Sequence, residues 1–117
     1  MGTQLDKFLD GWTEKDMGMM LDACADDFVY DDPYDGRITK AEWPDFFRRI
    51  PEGGAEFTDE FTIDDEGGQT DWFWWVWTTE GATEPDQEGS GLAKAGPDGV
   101  HSIKFAYYKG TGFFGPA

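Results

Sequence analysis

Ala25-Asp26-Asp27-Phe28-Val29-Tyr30-Asp31-Asp32-Pro33-Tyr34-Asp35-Gly36 is the stretch that decides how this 117-residue chain is read. Two amphipathic helical segments precede it and one follows. The stretch itself reads as a helix end, a short strand, and a turn forced by Pro33 and Gly36. Asp32 stands where the strand stops. Pro33 holds it extended, because the proline ring clashes with a helical residue before it. A carboxylate fixed there, in a chain that is 17% aromatic, is the strongest candidate for chemistry. It could equally cap its own turn or pair with Arg37, and the residues alone leave these alternatives open.

Upstream, Leu5, Phe8, Leu9 and Trp12 recur at helical spacing and predict a helix over 3–14. Lys15-Asp16 is a tight connection, with Asp16 as N-cap of a second helix that carries Met17, Met20, Leu21 and Cys24 on one face. So short a link predicts a helical hairpin. Downstream, Thr39 and Glu42 match a capping box. A third helix is expected from there to about residue 50, burying Trp43, Phe46, Phe47 and Ile50. Pro44 falls near its first turn, where a missing N–H costs little.

The second half reads as sheet. Residues 57–64 alternate, with Phe57, Phe61 and Ile63 on one face. A hairpin loop is expected at 65–68. Residues 69–80 form a long strand, apolar on both faces through Trp72-Phe73-Trp74-Trp75-Val76-Trp77, so both faces need covering. A polar connection over 81–87 leads to a Gly- and Ala-rich strand at 88–95. A turn at 96–99, a last strand at 100–109 and a tail at 110–117 follow. Three helices and a largely C-terminal sheet predict one α+β domain over 1–117, a curved antiparallel sheet wrapped around the helices.

Composition narrows the partners. Twenty-five acidic residues against nine basic ones give a net charge of −16. Nucleic acid and anionic membrane surfaces would be repelled. Cys24 is the single cysteine, so no internal disulfide forms. No apolar run is long enough to span a bilayer, and the N-terminus lacks a secretory pattern. A cytoplasmic setting is therefore expected. Six Trp and ten Phe exceed what folding alone requires, and point to a lined cavity, a partner surface, or both.

The pattern Phe8…Trp12…Asp16…Cys24 through Pro33 resembles the nuclear transport factor 2-like superfamily, in its SnoaL-like and ketosteroid-isomerase-like branch. Residues 99–108 are similar to that family's last strand. The resemblance covers almost the whole chain. It implies a cone-shaped, cystatin-like α+β barrel with a deep apolar pocket, and a homodimer formed through the outer sheet face. The implied activities range from isomerase, dehydratase, epoxide hydrolase and polyketide cyclase to plain ligand binding. Asp32 falls on the proton-shuttling aspartate of ketosteroid isomerase. That enzyme's tyrosine and protonated-aspartate positions are occupied here by Phe8 and Gly91. An enolate would forgo about 3–4 kcal/mol per missing donor, so steroid isomerisation is not expected.

The resemblance assigns a pocket to Phe8, Trp12, Tyr30, Trp43, Phe46, Trp72 and Trp74. It assigns the dimer face to Phe73, Trp75, Trp77 and Phe105. A slip of one residue exchanges the two sets on the long strand. Helical spacing alone makes Phe8 with Trp12, and Trp43 with Phe46, ordinary core pairs. Alternation turns Lys104 and Tyr108 inward, where Lys104 could pair with Asp32, although a solvent-facing strand lysine is the commoner role. Tyr30, Tyr107 and Tyr108 each offer a phenolic donor. His101 is the sole histidine and is expected on the dimer face. With no second ligand nearby in sequence, no metal site is expected, nor any organic cofactor. Two functions remain. One is a cofactor-independent isomerase, lyase or cyclase acting through Asp32 on a small apolar or cyclic substrate. The other is a dimeric binding protein without turnover.

Overall fold

The computed structural model describes residues 3–65, 68–110 and 112, and the side chains of all of these except 3, 59–65 and 68. The centre of the loop expected at 65–68, the faces assigned to Phe61 and Ile63, and most of the expected tail lie outside the described residues.

Helices α1 (Thr3–Glu14) and α2 (Met17–Ala23) form the expected hairpin. Leu5, Phe8, Leu9 and Trp12 are all buried, as their spacing requires. Asp16 caps α2 by accepting the Met19 N–H at 3.1 Å. Strand β1 (Cys24–Asp32) starts directly from α2, and β2 (Gly36–Thr39) folds back on it. Helix α3 (Trp43–Arg49) starts later than its capping pair suggests. Thr39 and Glu42 do exchange bonds, Thr39 N–H to Glu42 Oε1 at 3.0 Å and Glu42 N–H to Thr39 Oγ1 at 3.3 Å. Residues 40–42 nevertheless run as a turn. A start at Trp43 keeps Pro44 in the first turn, where it removes no helical bond.

Strands β3 (Gly53–Asp65), β4 (Gly68–Thr79), β5 (Gln87–Gly96) and β6 (Gly99–Lys109) complete a six-stranded sheet in the order β2-β1-β6-β5-β4-β3. The sheet is mixed, because β1 and β6 run parallel while the other neighbours are antiparallel. The architecture is the expected α+β one, helices against one face of a curved sheet.

Register fixes the faces. Phe73, Gly91 and Phe105 stand opposite one another across β4, β5 and β6, all buried. Trp72, Leu92 and Lys104 form the neighbouring row on the outer face. The glycines of β5 make room for the rings of β4: a Cβ at Gly91 would lie 2.3 Å from Phe73 Cζ. The two sets assigned to β4 are therefore exchanged. Phe73, Trp75, Trp77 and Phe105 are interior residues, and Trp72 and Trp74 lie on the outer face. With a ring at nearly every position, β4 has no alternation of its own, and a slip of one residue inverts every side chain.

Candidate functional site

Asp32 ends β1 with its carboxylate 3% exposed and held by four donors. Oδ1 accepts the backbone N–H groups of Tyr34 at 2.8 Å and Asp35 at 2.6 Å. Pro33 has no N–H to offer, so the side chain reaches over it to the next two, which is how an Asp-Pro turn closes. Oδ2 accepts Tyr30 Oη at 2.6 Å and Tyr107 Oη at 3.1 Å. Tyr30 lies two residues back on the same strand face, and Tyr107 comes from β6. Burial raises both phenols well above their ordinary range, and the Asp32 charge pushes the same way. Both remain protonated donors. Arg37 is not among these donors; it pairs in register with Asp31.

Phe8, Trp12, Tyr30, Trp43 and Phe46 do converge, but as a closed cluster. Trp12 stacks on Phe105 with centroids 5.6 Å apart, and Trp75 stacks on the other side of Phe105 at 4.7 Å. Tyr30 packs on Phe46 at 5.5 Å and on Phe105 at 5.2 Å, and Phe8 on Trp43 at 5.4 Å. The ring volume beside Asp32 is packed core.

Open space among the described residues includes a pocket at the end of the helix–sheet layer near α3. A half-open cavity of about 250 Å³ is lined by Trp12, Met17, Phe47, Ile50, Ala55 and Trp77, and by the exposed Lys15, Arg48 and Glu52. Of the expected pocket residues, Trp12 alone lines it. Trp77, expected on the dimer face, lines it as well.

Two further expected pocket residues are corrected. Lys104 is exposed on the outer face, in register with Leu92 and Asp31. Tyr108 is 76% exposed on that face, its ring 6.0 Å from Trp74. Residue 107 takes the inward position instead. Alternation on β6 runs Ile103, Phe105, Tyr107 inward, and the charge at Lys104 was the signal for it.

His101 is set between two carboxylates, Nδ1 2.5 Å from Asp27 Oδ1 and Nε2 2.8 Å from Asp98 Oδ1. The Asp27 hydrogen bond, helped by Asp98 and opposed by partial burial, raises the imidazole above its ordinary 6.5. The stabilisation is thus fully present below pH 6.5 and is lost as pH rises through the raised value. It amounts to less than about 1 kcal/mol, because the cluster is open to solvent. The urea-midpoint difference between wild type and His101→Gln should shrink above pH 6.5. A difference constant from about pH 5 to about pH 9 would contradict the assignment. Cys24 is buried, and desolvation pushes its thiol up to about 12, which leaves it unreactive.

A curved sheet closed on three helices, with an apolar cavity at one end and a buried aspartate at a strand end, defines a small α+β pocket protein. The model of the SnoaL-like domain family matches residues 5–106, and the chain belongs to that family. No curated protein matches it significantly. Among solved structures, a cystatin-like protein of unknown function from Methylobium petroleophilum PM1 is similar. It has 14% identity and a TM-score of 0.75, over 93% of this chain and 76% of that one. A ketosteroid-isomerase-like protein from Catenulispora acidiphila, solved with trimethylamine, has 15% identity and a TM-score of 0.72, over 95% and 89%. An epoxide hydrolase from M. tuberculosis described as LEH-like has 15% identity and a TM-score of 0.70, over 89% and 75%. At these identities the likeness is one of fold. No helix among the described residues is long and apolar enough to cross a membrane.

Proposed function

We propose that this protein binds a small apolar or cyclic ligand in the cavity at the open end, acts as a homodimer in the cytoplasm, and uses Asp32 to brace its fold. The observation that carries the reading is the separation of the two features. The apolar cavity is lined by Trp12, Met17, Phe47, Ile50 and Trp77, while the buried carboxylate sits among packed rings with all its donors in place. For Asp32 to act as the base of an isomerase, dehydratase or cyclase, one of its four donors would have to leave. That costs about 1–3 kcal/mol. The trimethylamine complex and the LEH-like hydrolase, both similar in fold, support a small-molecule ligand.

The homodimer reading is supported by the outer sheet face. Leu92 is 44% and Tyr108 76% exposed there. Half-buried Trp72 and Trp74 lie beside them, with rings 6.3 Å apart. Lys94 and Lys104 share that face, so two chains of net charge −16 would meet there with reduced repulsion. A cytoplasmic setting suits the single reduced thiol.

Filling the cavity tests the site. With 2-naphthol as a probe, followed by tryptophan fluorescence, Ile50→Trp should weaken binding by about tenfold or more without lowering Tm, whereas Tyr107→Phe should leave binding unchanged. Undiminished binding in Ile50→Trp, or its loss in Tyr107→Phe, would move the site to Asp32.

A further inference from the structure

We infer that the ligand of this cavity is a small amphiphile, an apolar ring body carrying one carboxylate or comparable oxyanion, with the anionic group held at the rim by Lys15 and Arg48; the inference rests on the binding reading. The inner wall is aromatic and aliphatic and supplies no charge. Lys15 and Arg48 line the cavity with one acid, Glu52, and Asp45 stands beside Arg48, so cations match acids there in a chain where acids outnumber bases 25 to 9.

The backbone at Lys15 adds a second observation. Lys15 follows α1 with φ 59°, the left-handed conformation. Its N–H bonds Trp12 O at 3.1 Å and the Asp16 N–H bonds Gly11 O at 2.8 Å, which together close the helix end. Glycine is the favoured residue at such a position, and an L side chain there is disfavoured. A long amine nonetheless stands at this point, beside the cavity.

Both rim cations are free to change partner. Lys15 Nζ is 3.3 Å from Glu52, and Arg48 is 3.5 Å from Asp45, with all four side chains about half exposed or more. Such pairs hold weakly. A carboxylate could take an amine bond from Lys15 or a guanidinium fork from Arg48. A cationic ligand would find only carboxylates, Glu52 and Asp45, that lack the directed fork a guanidinium offers a carboxylate. The remaining acids act through a Debye length of about 8 Å at physiological ionic strength, so contact charges at the rim dominate.

Three probes on one skeleton test this: 2-naphthoate, 2-naphthol and 2-naphthylmethylammonium, titrated calorimetrically at physiological ionic strength. The wild type should bind the naphthoate about tenfold more tightly than the ammonium. The double variant Lys15→Gln/Arg48→Gln should lose that preference. Lys15→Gly relieves the left-handed backbone, so it should raise Tm while it lowers the preference, an outcome no purely structural role of Lys15 produces. Equal or tighter binding of the ammonium or the naphthol overturns the inference, as does a preference that survives the double variant. Naphthol binding without charge preference overturns this inference alone. Failure of all three probes to bind overturns the cavity reading with it.

Discussion

Asp32→Ala should destabilise the domain by about 2–3 kcal/mol, read as a shift in urea midpoint, because it strips the acceptor from the buried Tyr30 hydroxyl and from the part-buried Tyr107 hydroxyl and Tyr34 and Asp35 N–H groups. Domains of this size have about 5–15 kcal/mol in total, so the variant should lose a large share of its stability. Asp32→Asn should be milder, about 1–2 kcal/mol, since its amide oxygen still serves the Tyr34 and Asp35 N–H groups and its NH₂ can donate to a phenol oxygen. The two phenols should differ. Tyr30 is fully buried and 2.6 Å from the carboxylate, while Tyr107 is half-buried at 3.1 Å. Tyr30→Phe should therefore cost more than Tyr107→Phe. A loss below about 1 kcal/mol for Asp32→Ala would mean that the four-donor arrangement does not brace the turn.

The second large effect is expected on the outer sheet face. Trp74 sits between Trp72 and Tyr108, with ring separations of 6.3 and 6.0 Å. A central tryptophan of an interface is where binding energy concentrates. Trp74→Glu should weaken self-association about a hundredfold or more in sedimentation velocity, adding a desolvated charge to the loss of a ring. Far-UV circular dichroism should not change, because the side chain lies outside the core. A wild-type protein that remains monomeric at tens of micromolar would remove the homodimer reading.

The helical half of the fold was legible because its signals are local. Spacing gave the buried face of α1, Asp16 gave the start of α2, and Pro44 near the first turn of α3 fits where that helix begins. What was not legible depends on distant chain. The parallel pairing of β1 with β6 leaves no local pattern. The edge strand β2 is four residues long and forms only because the Asp32 turn folds it back. The faces of β4 could not be read from β4, but its partners carried the answer. Glu88, Ser90 and Lys94 alternate with Gly89, Gly91 and Ala93, and the small residues mark the side where the rings of β4 need space. At the candidate site, Tyr30 follows from period two and the backbone donors follow from Pro33. Tyr107 arrives from 75 residues away. The cavity is the hardest to foresee: the resemblance puts Trp12 and Trp77 in opposite roles, and only the closed helix–sheet layer brings both to one lining.

The central claim is that ligand enters between Trp12 and Trp77 while the Asp32 network stays shut. An amide and indole ¹H–¹⁵N spectrum recorded across a titration with 2-naphthol tests it most directly. The indole signals of Trp12 and Trp77 should move together, with those of Trp72 and Trp74 still. Shifts concentrated instead at the backbone N–H groups of Tyr34 and Asp35, beside the Asp32 carboxylate, would contradict it.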